Sequence, residues 1–133
     1  MELTTGGRLL VAVYAVFAVA AGARSTVQML TKFDEAPLAY LLSFVAALIY
    51  VAATLALRRT SERAYRVAVA ACTIELAGIL IVGTLSLVRS DLFSDQTVWS
   101  DYGQGYGYVP LVLPVIGLGW LARRSRRSDR SNA

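Results

Sequence analysis

Residues 36–57 read APLAYLLSFVAALIYVAATLAL, and no side chain in that run carries a charge. As a helix it is long enough to cross the roughly 30 Å hydrocarbon core of a bilayer. A helix is also the one single-segment structure that satisfies its own backbone in lipid. Pro37 falls in the first turn, where a missing N–H costs nothing. The stretch therefore predicts a transmembrane helix, and the rest of the chain is read outward from it.

Three further apolar segments flank it. The first begins after Arg8 and is expected to continue through Arg24, giving a span of about 8–30, because no Pro or Gly breaks it after Gly22. The third covers 67–88 and holds one carboxylate, Glu75. The fourth covers about 106–122, interrupted by Pro110, Pro114, Gly117 and Gly119, and is expected to be the least regular. A basic tail, 123–133, follows, with Ser131, Asn132 and Ala133 expected to be disordered. The expected fold is all-α: one four-helix transmembrane bundle, residues 1–122, with a short ordered aromatic loop on the outer side.

Composition agrees. The chain of 133 residues is 56% hydrophobic and only 17% charged, with a mean hydropathy of +0.55. Soluble domains are nearer 45–50% apolar and 25% charged. The absence of histidine removes His-dependent acid–base chemistry and His-containing metal sites. A single cysteine, Cys72, makes no intrachain disulfide and no Cys-x-x-Cys pair. No metal, no cofactor and no catalytic constellation is expected, so the chain is not read as an enzyme. Twelve arginines beside one lysine, with twenty alanines, hint at a GC-rich bacterial genome.

Charge placement sets the expected orientation. The N-terminus, the 58–66 loop and the tail together hold ten of the thirteen basic residues; the two other connections hold Arg24, Lys32 and Arg89. The positive-inside rule then puts both termini and the 58–66 loop in the bacterial cytoplasm. The Arg-rich tail is read as a topology signal that also touches anionic lipid, with no nucleic acid as partner. Arg8, the apolar run and Ala18-Val19-Ala20 or Ala21-Gly22-Ala23 also have the layout of a signal peptide. The preferred reading is an uncleaved first span.

In lipid, small and polar residues mark the packed faces of helices. Tyr14, Ala18, Ala21 or Gly22, and Ser25 form such a stripe on the first span. Ala39, Ser43, Ala46, Tyr50 and Ala53 do so on the second, and Ala68, Ala71, Glu75 and Gly78 on the third. All three stripes are expected to face inward, although Ala18 and Gly22 equally suit a homodimer contact. At about 1.5 Å per residue, Glu75, Tyr50 and Tyr14 fall within one layer, roughly 9–13 Å from the cytoplasmic side. They form the candidate intramembrane polar site. Glu75 is expected to hold a proton and to hydrogen-bond a tyrosine of a neighbouring helix, with Thr73 close in sequence. Arg24 lies too far toward the outer side for a relaxed ion pair with Glu75.

The third loop, 89–105, supplies Trp99, Asp101 and Tyr102, which with Arg24 make the candidate outer-loop surface. Trp99, Tyr102, Tyr106 and Tyr108 suit the interfacial aromatic belt. Two functional classes follow. One is an interaction or accessory protein of the cytoplasmic membrane, bound to another membrane protein. The alternative is a small homodimeric proton-coupled transporter that uses Glu75.

Several stretches carry a resemblance. They are Gly22-Ala23-Arg24-Ser25-Thr26-Val27-Gln28, Glu35 through Ser43, Val98-Trp99-Ser100-Asp101-Tyr102-Gly103, and Val109-Pro110-Leu111-Val112-Leu113-Pro114. With these the chain resembles a group of small four-span integral membrane proteins of actinobacteria, over residues 8–122. The resemblance implies the four-span architecture and transfers no catalytic residue. Small multidrug exporters also combine four helices with one membrane glutamate. Theirs lies in the first helix, whereas Glu75 lies in the third.

Overall fold

The computed structural model describes residues 5–59, 61–93, 97 and 99–132, without the side chains of Thr5, Gly105 and 125–132. Asp95, Val98 and Ala133 lie outside the described residues, as do the side chains of Arg126, Arg127 and Arg130. Among the described residues every regular element is helical. The α-helices are α1 (Thr5–Thr31), α2 (Pro37–Leu57), α3 (Glu62–Val88) and α4 (Val109–Asn132). Short 3-10 turns occupy Phe33–Glu35 and Ser90–Leu92, and a series of turns runs Ser100–Tyr106, kinked by left-handed backbone at Asp101, Tyr102 and Gly103. Three helices, α1, α2 and α3, are long and apolar enough to cross a membrane.

Local chemistry explains the boundaries. α1 passes through Arg24 without a break and ends where the Thr31 hydroxyl turns back to the Val27 carbonyl at 2.6 Å. The connection of 32–36 is too short for anything but an antiparallel return, and Pro37 opens α2 at its first turn. α3 starts earlier than its apolar run, at Glu62. Ser61 is the reason: its Oγ accepts the Ala64 amide at 3.1 Å and caps the helix, and Glu62 in the first turn suits the helix dipole.

α4 departs from the expected fourth segment at both ends. It begins at Val109, because Gly107 (φ 64°) and Tyr108 (φ 62°) adopt left-handed conformations that end the preceding turn. It continues through the basic residues as helix to Asn132, so Ser131 and Asn132 belong to the helix and not to a disordered end.

The inward stripes form the core. Tyr14, Ala18, Ala21 and Ser25 of α1 are buried, as are Ala39, Ser43, Ala46, Tyr50 and Ala53 of α2 and Ala68, Ala71 and Glu75 of α3. Leucine, valine and isoleucine crowd the outer faces, including Leu38, Leu48, Leu55, Ile74, Ile81, Val112 and Ile116. This inversion of the soluble pattern is what lipid allows, since tails are as apolar as leucine. Thr73 is on the exposed side of α3 and does not face Glu75.

Two glycines of α3 receive the segment that joins α3 to α4. A Cβ on Gly78 would lie 2.8 Å from the Trp99 indole. A Cβ on Gly83 would lie 2.8 Å from Tyr102 Cε1 and 2.9 Å from the Tyr102 amide nitrogen. The ring can tilt, but the backbone has nowhere to go. Gly83→Ala should therefore cost about 1–3 kcal/mol of overpacking. Thermal unfolding in detergent should show a lowered midpoint for Gly83→Ala. Gly119→Ala, where a Cβ meets nothing within 4 Å, should leave it unchanged or raise it.

Candidate functional site

The centre of the bundle is a small polar cluster inside an apolar frame. Glu75 is 0% exposed. The Tyr14 hydroxyl of α1 reaches across and donates to Glu75 Oε2 at 3.0 Å. The same hydroxyl lies 3.5 Å from Cys72 Sγ, one turn before Glu75 on α3. Glu75 Oε1 is buried and has no hydrogen-bond partner. α4 closes the cluster through Gly117, whose missing side chain leaves room for Cys72 Sγ and for the Tyr14 hydroxyl, 2.9 and 3.4 Å from a built Cβ.

α2 adds Tyr50. Its ring centroid is 6.3 Å from that of Tyr14 and 6.1 Å from that of Phe17. Tyr14, Tyr50 and Glu75 are thus gathered in one region. The Tyr50 hydroxyl, however, accepts its hydrogen bond from Trp99 Nε1 at 3.1 Å.

That bond corrects the reading of Trp99. It is not part of an outer surface or an interfacial belt; it is 4% exposed and inserted into the bundle. The reason is complementarity. Gly78 provides the space, and Tyr50 provides the acceptor that a buried indole N–H needs. The Thr97 hydroxyl accepts the Trp99 amide at 3.1 Å and holds the entry to this insertion.

The other loop residues remain nearer the surface. Asp101 donates its amide to Ser86 Oγ at 2.9 Å, and Ser86 donates to the Gly83 carbonyl at 2.8 Å. The Tyr102 hydroxyl meets Thr84 Oγ1 at 2.8 Å. Asp101 and Tyr102 are in the left-handed region, with φ of 53° and 60°. Side chains other than glycine rarely adopt it, and each such residue costs about 1–3 kcal/mol. The bonds to α3 hold them there. Tyr108, by contrast, is exposed and suits the belt.

Arg24 makes no ion pair with Glu75. Its Nη1 donates to the Tyr106 hydroxyl at 2.7 Å. Among the described residues the ion pairs are Arg66–Glu62 and Arg89–Asp91, both on exposed side chains. In the second pair the Arg89 guanidinium holds the Asp91 carboxyl below its usual range. Beside Arg24 lies a cavity of about 10 Å³, lined by Ser25, Gln28, Ser43, Thr97 and Tyr106. That is the room of one water-sized sphere.

Three participants escaped the sequence reading. Cys72 precedes Glu75 by three residues, which places both on one helical face, so its signal was present. Gly117 stands out in the sequence only as an irregularity of the fourth apolar segment. Trp99 carried no local signal for insertion. Among the described residues, no group of three His, Cys, Asp or Glu side chains is placed to hold a metal ion.

Trp99 separates ring from bond. Trp99→Phe keeps most of the packing on Gly78 and removes the donor to Tyr50, so thermal unfolding should show a loss of about 0.5–1.5 kcal/mol. Trp99→Ala also opens a cavity and should cost about 3–5 kcal/mol. Equal losses in the two variants would assign the whole effect to the hydrogen bond. No family model, curated protein or solved structure matches this chain.

Proposed function

We propose that the chain is a four-span protein of the bacterial cytoplasmic membrane with both termini in the cytoplasm. We further propose that it works as a non-catalytic accessory protein that binds another membrane protein. The single observation that carries the role is the filled centre. Tyr14, Tyr50, Glu75 and Trp99 occupy the middle of the bundle, all at most 4% exposed. A bundle with its centre buried in this way supports a role played through its outer surfaces.

The fourth span is supported by Gly117, which packs against the same layer as Glu75. Residues 109–122 alone extend about 21 Å at 1.5 Å per residue, short of the hydrocarbon core. The Ser100–Tyr106 segment packs on α3 next to the start of α4 and covers that end of the bundle. Orientation rests on the basic residues at the Arg58 end.

One observation favours the second reading, a proton-coupled transporter. Glu75 Oε1 is buried without a partner, and an intramembrane carboxyl with a free oxygen is suited to binding and releasing a proton. The two readings part at Glu75→Gln, which keeps the shape and the acceptor for Tyr14 but does not titrate. The accessory role predicts that this variant folds and retains its partner in mild detergent at wild-type stoichiometry. A homodimer without partner, whose proton-dependent flux disappears in Glu75→Gln, would overturn it. For orientation, a reporter in the 58–66 loop and one after residue 132 should both read cytoplasmic, and one beside Asp91 should read external. An external 58–66 loop would reverse the assignment.

A further inference from the structure

At the Arg58 end two basic segments far apart in sequence are clamped together. Arg124 of α4 donates Nη1 to the Arg59 carbonyl at 3.2 Å. Its guanidinium lies 6.0 Å from the ring of Tyr65 and 5.8 Å from that of Trp120. This residue therefore ties the end of α4 to the turn between α2 and α3. Around it Arg58, Arg59, Arg63, Arg66 and Arg123 are exposed. The carboxylate within this patch is Glu62, bonded to Arg66 at 3.1 Å, with the two side chains 80% and 77% exposed. Such an exposed pair contributes little, and the patch stays strongly positive.

Its level in the membrane follows from the same residues. Tyr65 and Trp120 are half-buried rings of the kind that collect at the membrane–water boundary. Arg124 lies beside both rings, so in the membrane-spanning reading the neighbouring guanidiniums fall near the level of lipid phosphates. One phosphate is satisfied by one or two guanidiniums through paired N–H bonds. Beside Arg66, which holds Glu62, the four exposed arginines Arg58, Arg59, Arg63 and Arg123, drawn from two clamped segments, exceed that need.

We infer that this end of the bundle is a binding site for an anionic lipid whose headgroup carries two phosphates. Arg58 and Arg59, beside the clamp, take one phosphate, and Arg123 takes the other. The inference rests on the membrane-spanning reading above and moves the lipid contact from the tail alone to a composite site. Two phosphates on one headgroup bind as a linked pair, so the second contact needs no second capture from solution.

The test is native mass spectrometry of the full chain in mild detergent, titrated with diphosphatidylglycerol or with phosphatidylglycerol at matched phosphate. The two-phosphate lipid should bind about tenfold or more tightly. Arg59→Gln and Arg123→Gln should each weaken it about fivefold, whereas Arg89→Gln at the opposite end should not. Arg59→Lys and Arg123→Lys, which keep charge but lose the paired donors, should fall between. Equal binding of the two lipids per phosphate, or indifference to both Gln variants, overturns the site. Displacement of the lipid by an equal concentration of free pyrophosphate reassigns it to a soluble ligand and also overturns it. An external reading from the 58–66 reporter sinks the orientation and leaves this binding intact. Lost lipid preference with a cytoplasmic reporter sinks the site alone.

Discussion

A carboxyl group in the middle of an apolar bundle has to be hidden from lipid, and the way Glu75 is hidden governs the packing around it. Placing a charged residue at the bilayer centre costs about 2.5–3.5 kcal/mol on insertion scales. Each helix contributes something to meeting that cost. α1 provides the Tyr14 donor, α2 a wall formed by Tyr50, α3 the carboxyl itself and α4 a glycine that allows close cover. Replacing Gly117 by a larger residue would push α4 off Cys72 and Tyr14. Leaving out Tyr14 would strand both carboxyl oxygens. The alanines along the stripes serve the same end, because they let the helices come near enough for a tyrosine to span the gap.

The segment between α3 and α4 continues this logic toward one end. Burying an indole removes about 150–250 Å² from water, worth roughly 4–6 kcal/mol at 25 cal/mol per Å². Holding Asp101 and Tyr102 in left-handed conformations costs roughly 2–6 kcal/mol in all. The two effects are of one order, so the hydrogen bonds decide the balance. The Trp99–Tyr50 bond, the Asp101–Ser86 bond and the Tyr102–Thr84 bond all favour the inserted arrangement. Strain here is a consequence of docking two aromatic side chains on two glycines five residues apart in one helix.

Much of the helical layout was legible because lipid enforces long uncharged runs. The stripes were legible for a related reason: in lipid, small residues cluster where helices touch. What escaped had its cause outside the local pattern. Ser61 moved the start of α3 through a capping bond, a signal weaker than hydropathy but present in the sequence. Composition treats the aromatic residues of one loop alike, so Trp99 groups with Tyr102, Tyr106 and Tyr108 as a belt residue. Its insertion depends on Gly78 and Tyr50, which lie on two other helices. Gly78 does not differ, in sequence, from a glycine that serves helix–helix contact. Periodicity ranks faces; it does not say which loop residue will fill a notch.

The same energetics bear on whether the bundle conducts. Access to Glu75 from the Trp99 side requires the indole to leave Gly78, breaking the bond to Tyr50 and returning the ring to water. If that costs about 4 kcal/mol, the open arrangement is populated about once in a thousand molecules, since 1.4 kcal/mol is a factor of ten. A substrate that binds both arrangements equally shifts nothing, however tightly it binds. A transporter built on this frame therefore needs a ligand whose contacts favour the open arrangement by several kcal/mol. The cavity beside Arg24, with room for one water-sized sphere, provides few such contacts. An accessory protein needs no such opening, because the filled centre then serves as the rigid support for what its ends and faces bind.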